Sequence, residues 1–270
     1  MLRELAIKGA RLTPKFVKDA IHHTRFLDRL SRKAFKGAMS AGGGVVRIQS
    51  GPLAGLHLAV SEHVSHAHVS GTYEIETQRA IDGLVRPGSV CYDLGASIGY
   101  LSLLMARKAK QVYAFEPAPH AIGEIRKHAA ANNFANIEIV PSPVSDTERT
   151  VEFALTDAAY GSRINAAETR WPKLQLTTIT LDDFAAQHPF PDFIKIDVEG
   201  EEGRVLEGAR SILREKRTSL CCELHSEEAA RHVQGVLSEY DYRITTLDGT
   251  PFQITEEIIA GEVQVIAAPQ

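Results

Sequence analysis

The chain has 270 residues, of which 44% are hydrophobic and 24% are charged, as is usual for a globular protein. This composition excludes a largely disordered chain, and no apolar run approaches the ~20 residues that a membrane-spanning helix needs. The start of the sequence lacks the apolar core and cleavage site of a signal peptide, so we expect a cytoplasmic protein. The three cysteines, Cys91, Cys221 and Cys222, lack metal-ligand spacing and are expected to be buried, reduced thiols.

Positive charge is concentrated at the start of the chain. Residues 1–40 contain ten lysines and arginines but three acids, whereas the whole chain has a net charge of -4. Thr13 and Pro14 have the form of a helix start, and apolar residues then recur on one face among basic ones. We predict that residues 1–44 form a basic amphipathic helical arm ending in a glycine linker. Such a helix could pack on the protein itself, mediate self-association or lie on an anionic membrane surface as a peripheral contact.

Residues 45–88 are predicted to form a β-hairpin and an entry helix. Two alternating segments, 45–49 and 56–60, flank a turn that contains glycine and proline, and a helix is predicted for 75–84. His63, His66 and His68 lie between them, and His66 and His68 would share one face if this stretch were a strand. Three imidazoles can bind zinc, but histidines on a surface or in a substrate pocket are the favoured interpretation.

From Ser89 onwards, apolar strand-like segments alternate with helical ones. Buried strands are predicted at 90–92, 112–115, 137–140, 193–197 and 220–225, with helices at 121–133, 203–215 and 227–239 and closing strands at 242–246 and 263–267. Segments 150–155 and 174–179 are predicted to be exposed strands around a long loop, 157–173. This alternation predicts an α/β fold with a doubly wound, mostly parallel sheet, in which ligands bind beyond the carboxyl ends of the strands.

A glycine turn with Gly95, Ser97 and Gly99 joins the first of these strands to a helix. Such a turn can cradle a cofactor at the helix start, but G-x-S-x-G is also the pattern of a hydrolase nucleophile. Ser97, Asp197 and His225 even follow the chain order of a serine hydrolase triad. Against a hydrolase, no oxyanion segment precedes the turn, and Glu116 would have no role.

Glu116 favours a cofactor site. It ends the next strand, 23 residues after Asp93, and an acid about 20 residues after a glycine turn is placed to bind both hydroxyls of a ribose. Asp93 would repel the pyrophosphate of a nicotinamide dinucleotide, but it suits an amino-acid group that carries an ammonium. The cofactor with both a ribose and such a group is S-adenosylmethionine.

Several motifs, in order along the chain, resemble the FkbM family of S-adenosylmethionine-dependent methyltransferases. They are GTYE at 71–74, YDLGASIGY at 92–100, AFEP at 114–117, LDD at 181–183, IKIDVEG at 194–200, VLEGA at 205–209 and ELH at 223–225. The resemblance implies a seven-stranded, Rossmann-like methyltransferase domain over residues 89–270. Ser97, Ala118 and Glu201 depart from the family's usual residues, and Glu201 adds charge beside the expected reaction centre.

The resemblance also implies roles for the residues at the strand ends. The implied cofactor-binding residues are Asp93, Gly95, Ala96, Ser97 and Gly99 near the methionine end, Glu116 at the ribose, and Ser142, Pro143 and Val144 at the adenine. The implied acceptor side has Asp197 and Glu199 after one strand and Glu223 and His225 at the end of the next.

The predicted chemistry is methyl transfer to a hydroxyl. Because a hydroxyl is a weak nucleophile, a base beside it would assist in-line attack on the methyl group. His225 is the first candidate for the base, with Asp197 or Glu199 orienting it or the substrate. A less favoured alternative is a divalent cation held by Asp197, Glu199, Glu223 and His225.

The acceptor that the family resemblance implies is a hydroxylated small molecule, a sugar or glycan, or a natural product. A non-catalytic protein that binds S-adenosylmethionine remains an alternative, because Asp93 and Glu116 indicate binding rather than turnover. Nucleic acid is not expected as a partner, since the body of the chain is acidic and has no basic groove interleaved with aromatic residues.

Overall fold

The computed structural model describes residues 44–155, 163–164, 171–254 and 263–270. The predicted basic arm therefore lies outside the described residues except for Gly44, and so does most of the predicted loop at 157–173. Among the described residues, no helix is long and apolar enough to cross a membrane.

The first described elements form the predicted hairpin and entry helix. Strands β1 (Val45–Arg47) and β2 (His57–Ala59) pair antiparallel, and helices α1 (His66–Ser70) and α2 (Ile75–Leu84) follow. The expectation that His66 and His68 share a strand face is wrong, because both lie on α1. Ser65 starts this helix with a capping box, in which its side chain accepts from the N–H of His68 and the His68 ring accepts from the N–H of Ser65.

The remaining elements follow the predicted alternation of strands and helices. Their bounds are β3 (Val90–Leu94), α3 (Tyr100–Ala106), β4 (Gln111–Phe115), α4 (Pro119–Ala131), β5 (Ile137–Val140), β6 (Thr150–Ala154), β7 (Arg163–Ile164), β8 (Lys173–Thr177), α5 (Leu181–Ala185), β9 (Phe193–Ile196), α6 (Glu202–Glu207), α7 (Arg210–Arg214), β10 (Ser219–Leu224), α8 (Glu227–Glu239), β11 (Tyr242–Thr246) and β12 (Val263–Pro269).

One predicted helix is divided in the structure. The segment 203–215 forms α6 and α7, which are separated at Gly208 and Ala209. A Cβ on Gly208 would lie 2.3 Å from the carbonyl oxygen of Ser145. The backbone of Ser145 is therefore too close for any residue other than glycine at position 208. Asp182 then begins the second helix, because its carboxylate accepts from the N–H groups of Ser211 and Ile212.

The main sheet has seven strands in the order β11-β12-β10-β9-β3-β4-β5. Five neighbouring strands, from β10 to β5, are parallel, and β12 is antiparallel to both β10 and β11. The expected doubly wound, mostly parallel, seven-stranded α/β sheet is thus confirmed. From β3 the chain winds to β4 and β5 on one side and later returns to β9 and β10 on the other. In such sheets the crevice at this switch point, here between β3 and β9, is where ligands bind.

Apolar residues cover both faces of this sheet. Tyr92 and Leu94 of β3 belong to one hydrophobic cluster, and Cys91 from the same strand belongs to the cluster on the opposite face. This alternation along a strand that is buried on both faces is typical of a parallel sheet between helices. The prediction of buried thiols is confirmed, since Cys91, Cys221 and Cys222 are all buried and free.

A second sheet contributes to the ligand side of the fold. Strands β7, β6 and β8 form a three-stranded antiparallel sheet with β6 in the middle. The predicted strands at 150–155 and 174–179 correspond to β6 and β8, and β7 lies within the predicted long loop. The expectation that both strands are exposed is wrong for β6, because Val151, Phe153 and Ala154 are buried in the middle strand of the sheet.

Candidate cofactor and acceptor site

The glycine turn after β3 is pressed against the end of β9. Gly95 has a φ of +69°, and a Cβ at this position would lie 1.8 Å from the carbonyl oxygen of Asp197. Ser97 also has a positive φ, of 51°, which is uncommon for a residue with a side chain. Glycine is therefore required at position 95, where the turn that leads from β3 into α3 packs against the end of β9 at the switch point.

Glu116 holds this turn in place. Its side chain is buried, and its two oxygens accept from the N–H groups of Ser97 and Ala118, each at 2.8 Å. Burial raises the pKa of Glu116 to about 7, although the N–H groups of Ala118 and Ser97 act in the opposite direction. Since each carboxylate oxygen can accept two hydrogen bonds, each still has one lone pair for a ligand.

A pocket opens between these elements, and we call it the cofactor pocket. The predicted site residues that line it are Gly95, Ser97, Glu116, Ser142, Pro143, Val144, Asp197 and Glu199. Phe153 of β6 and Ile164 of β7 add apolar wall, so the second sheet helps to enclose the pocket. The fold thus brings together residues that are separated by up to about a hundred positions in the sequence.

A second, smaller pocket adjoins the first, and we call it the entry pocket. It is lined by His68, Tyr73, Glu74, Gly95, Ala96, Ser97, Ile98, Tyr100, Leu101, Lys195 and Asp197. Gly95, Ser97 and Asp197 line both pockets. The two spaces therefore meet at the glycine turn, one on the side of Glu116 and the other on the side of Glu74.

Two of the predicted cofactor residues do not line either pocket. Asp93 is fully buried and receives a hydrogen bond of 2.5 Å from the hydroxyl of Ser102. Burial raises the pKa of Asp93, while the charge of Lys195 lowers it. Gly99 starts α3, and a Cβ there would meet Ile125 at 3.1 Å. Both residues flank the glycine turn in the sequence and pack against neighbouring side chains instead of facing a pocket.

Lys195 was not identified by the sequence analysis. Its ammonium donates to the carbonyl oxygens of Leu94 and Gly95, at 3.3 and 3.0 Å, and to the Asp197 carboxylate at 3.1 Å. Burial opposes its charge, but the carboxylates of Asp197 and Asp93 raise the pKa of Lys195, so that it remains charged. A lysine inside the otherwise apolar run FIKI was the one sequence feature that could have identified it.

His225, the candidate base, lies against three carboxylates. Its Nδ1 is 2.9 Å from Oε1 of Glu202, and its Nε2 is 3.5 Å from Asp197 and 3.9 Å from Glu199. Burial by itself lowers the pKa of His225, but the hydrogen bond and charge of Glu202 and the charge of Asp197 raise it to about 9. The imidazole is therefore mostly protonated at neutral pH. His225 contacts the acidic wall of the cofactor pocket without lining that pocket itself.

Glu202 was also missed by the sequence analysis. It is fully buried, and its Oε1 accepts from the N–H of Gly200 at 2.8 Å as well as contacting His225. A glutamate three positions after Glu199, at the start of a helix, would usually be assigned to the helix dipole. Its contact with His225 depends on the packing of α6 beside β10, which the local sequence does not show.

Glu223, the remaining acidic residue of the predicted acceptor side, has a hydrogen-bond partner of its own. Glu223 receives a hydrogen bond of 3.0 Å from Gln264. Burial, followed by the charge of Asp197, raises the pKa of Glu223 to about 7.

Among the described residues, no group of three or more histidine, cysteine, aspartate or glutamate side chains is arranged to hold a metal ion. The geometry therefore gives no support to the divalent-cation alternative.

Glu201, which departs from the family's usual residue at this position, lines the cofactor pocket. Its Oε2 lies 3.7 Å from Arg149 and 3.6 Å from Arg204. Asp146 contacts the same two arginines. The extra charge at position 201 is thus paired with cations rather than directed alone at the pocket.

Comparison with known proteins gives one family and several relatives. The sequence model of the methyltransferase FkbM domain matches residues 93–244. Over 165 residues, the chain is 26% identical to a Haloferax volcanii protein named hexuronic acid methyltransferase AglP, and the match covers 56% of this chain and 62% of that protein. The chain is also 37% identical over 68 residues to the uncharacterized protein MJ1452 of Methanocaldococcus jannaschii, and that match covers 25% of this chain and 26% of that protein.

A crystal structure of the methyltransferase FkbM of Methylobacillus flagellatus is among the similar solved structures. It shares 20% sequence identity with the chain at a TM-score of 0.48, over 68% of this chain and 45% of that one. The family match is the more informative finding, because it extends from the end of β3 into β11 and takes in the glycine turn, Glu116, Asp197 and His225. The chain belongs to the FkbM methyltransferase family.

Proposed function

We propose that this protein uses S-adenosylmethionine to methylate a hydroxyl group of a sugar, a glycan or a related natural product. The observation that carries the proposal is the meeting of the glycine turn, Glu116 and Asp197 in one pocket at the switch point of the sheet. The methyltransferase family of the chain and an acidic residue at the end of the strand after the glycine turn both support this cofactor.

The residues of the cofactor pocket fit S-adenosylmethionine. Glu116 keeps one free lone pair on each carboxylate oxygen, which matches the two hydroxyls of a ribose. Pro143, Val144 and Phe153 give an apolar wall suited to a flat adenine ring. When bound, the cofactor would supply a methyl group that is already activated by the positive charge on sulfur.

The acceptor would enter on the side of Asp197 and Glu199. Both carboxylates line the cofactor pocket, and carboxylates are good acceptors for the hydroxyls of a carbohydrate. Glu199 has a φ of 57°, a strained conformation of the kind that is retained at functional sites. Alignment of the hydroxyl by these two side chains would supply the in-line geometry that methyl transfer requires.

His225 would take the proton from the acceptor hydroxyl. Its Nε2 faces Asp197 and Glu199, so a hydroxyl held by either carboxylate would lie near the ring. Because the pKa of His225 is raised to about 9, only about 1% of the rings are neutral at pH 7. Base catalysis by His225 therefore implies a rate that increases up to about pH 9.

The serine-hydrolase interpretation of Ser97 is not retained. The chain belongs to a methyltransferase family. In addition, Asp197 faces Nε2 of His225, the ring nitrogen that contacts the serine in a triad, and Nδ1 is occupied by Glu202. The relative from Haloferax volcanii, which is named a hexuronic acid methyltransferase, supports a carbohydrate acceptor for this chain as well.

Two further expectations remain part of this proposal. We expect the basic residues 1–40 to pack on the protein itself or on a second copy of the chain, with contact to an anionic membrane surface as the less favoured alternative. We expect no nucleic-acid partner, since the remainder of the chain is acidic.

Transfer of a labelled methyl group tests the proposed function. The purified protein would be incubated with methyl-labelled S-adenosylmethionine and a panel of acceptors: neutral glycosides, hexuronic acids and their glycosides, and hydroxylated polyketides. We expect label in a product that survives mild alkali, because methyl ethers are stable there and methyl esters are not. Alkali-labile label would show carboxyl methylation instead, and no transfer to any acceptor, despite cofactor binding, would favour a non-catalytic binding protein.

A further inference from the structure

The entry segment, residues 71–74, places one acidic side chain against the glycine turn. Glu74 directly precedes α2 and lines the entry pocket together with Gly95, Ala96 and Ser97. Its backbone is left-handed, with φ 44° and ψ 46°. A glutamate in this conformation is strained by about 1–3 kcal/mol, and such strain persists only where surrounding structure imposes it.

The surroundings of the entry segment do impose this conformation. A Cβ on Gly71 would lie 2.0 Å from the carbonyl oxygen of Ser50, so the segment is packed directly on the turn of the hairpin. The side-chain amide of Gln78 donates to the carbonyl oxygens of Gly71 and Tyr73 and closes the segment from the other side. Glu74 is therefore held at the pocket wall by rigid contacts on both sides.

The carboxylate of Glu74 has an unused acceptor. Its Oε2 is buried and has no hydrogen-bond partner among the described residues. Burial raises the pKa of Glu74, while the hydrogen bond from Tyr73 and the charge of Lys195 lower it. A buried acceptor without a partner is costly, so a donor that entered the pocket would be bound favourably.

The local charge shows which donor would fit. Lys195 lies among the carboxylates of Asp197, Asp93 and Glu74, all of which act on its charge. Its ammonium already donates to Leu94, Gly95 and Asp197, which accounts for its three hydrogen atoms. Since three carboxylates surround one satisfied cation, the entry pocket favours a second positive group.

We propose that Glu74 binds the ammonium of the methionine part of S-adenosylmethionine, an inference that rests on the proposed function. The entry pocket shares Gly95, Ser97 and Asp197 with the cofactor pocket. A cofactor whose ribose lies at Glu116 would therefore extend over the glycine turn with its amino-acid end towards Glu74. The entry segment, which precedes the sheet, would in this way become part of the cofactor site.

Calorimetry with two ligands tests the role of Glu74. S-Adenosylhomocysteine would be compared with its deaminated analogue, S-adenosyl-4-mercaptobutyrate, which lacks only the ammonium. Three variants are compared. Glu74→Gln and Glu116→Gln each remove one carboxylate of the two pockets. The control is Glu76→Gln, an exposed residue in the first turn of α2 that pairs with Arg79. The wild type and Glu76→Gln should bind S-adenosylhomocysteine at least about 10-fold more tightly than the analogue, as expected for a hydrogen bond between charged groups.

The expected result for Glu74→Gln is weaker binding of S-adenosylhomocysteine by about 10-fold or more, with binding of the analogue unchanged. Glu116→Gln should weaken both ligands alike. Equal weakening of both ligands in Glu74→Gln, or no change in either, would overturn the role of Glu74 alone. Failure of the wild type to bind S-adenosylhomocysteine at all would overturn the proposed function and this inference with it.

Discussion

The Nδ1 atom of His225 lies 2.9 Å from Oε1 of Glu202, a carboxylate that is fully buried. The same oxygen accepts from the N–H of Gly200, in the turn that carries Glu199. One buried glutamate thus fixes the direction of the His225 ring and the shape of the loop after β9. Because Nδ1 is occupied, Nε2 is the ring nitrogen that faces Asp197.

Glu202→Gln should separate the orienting role of this residue from any effect on the cofactor. Glutamine keeps the shape and one acceptor but removes the charge, so the pKa of His225 should fall from about 9 towards 6.5. We expect unchanged binding of S-adenosylmethionine, a pH–rate profile whose rise moves to lower pH, and an NMR titration of the His225 ring that moves with it. An unaltered ring titration would contradict the assignment of Glu202 as its partner.

The same pair makes stability depend on pH. The pKa of His225 is higher in the folded state, at about 9, than its ordinary value of 6.5. The stabilisation from the charged ring is therefore complete below about pH 6.5 and is lost as the pH rises through about 9. Thermal unfolding of the wild type should show this loss between the two values, and Glu202→Gln should show much less of it.

His225→Ala should bind S-adenosylmethionine normally and lose most of its turnover. If His225 is the base, the wild-type rate increases with pH up to about 9, because only the neutral ring accepts the proton. His232, on α8 and paired with Glu207, provides a control substitution away from the pockets. A normal rate in His225→Ala would transfer the base role to Asp197 or Glu199.

Glu116→Ala should lose cofactor affinity. Two hydrogen bonds from ribose hydroxyls to a buried carboxylate are removed, and each such bond contributes about 1.5–3 kcal/mol, so a weakening of about 100-fold or more is expected. The substitution also frees the N–H groups of Ser97 and Ala118, which loosens the glycine turn. Glu138→Ala, at an exposed position on β5, should bind the cofactor like the wild type. Equal affinities in calorimetry would refute the ribose assignment.

Gly95→Ala should damage both the site and the fold. A methyl group at this position would lie 1.8 Å from the carbonyl oxygen of Asp197, and the φ of +69° is itself unfavourable for alanine. We expect loss of cofactor binding and a lower melting temperature. Gly123→Ala is the matched control, because this glycine lies on α4 with no atom within 4 Å of its Cβ position. That change should stabilise the protein by about 0.5–1 kcal/mol.

The sequence was sufficient to predict the sheet and the meeting of the glycine turn, Glu116 and Asp197 at one edge of it. Gly95, Glu116 and Asp197 each follow an apolar strand directly, so their place at one edge of a parallel sheet can be read from local patterns. The seven-stranded sheet was implied by the family motifs rather than by composition or periodicity, and the strand order was not predicted.

The sequence was less informative where position depends on tertiary packing. The pattern of His66 and His68 is compatible with a strand, and it was the capping box at Ser65 that placed them on a helix. Glu202 looked like an ordinary acid at a helix start, and although Lys195 stands out in the apolar run FIKI, its partners could not be inferred. The partners of these two residues are about 23 and 100 positions away along the chain. Contacts of this range are created by the fold, and no local spacing reveals them.

The most direct test of the central claim is calorimetric titration of the purified protein with S-adenosylmethionine, with and without magnesium. We predict binding in the micromolar range that does not depend on the metal and that is lost in Glu116→Ala. Absence of binding under both conditions would contradict the claim that the pocket between Glu116 and Asp197 is a cofactor site.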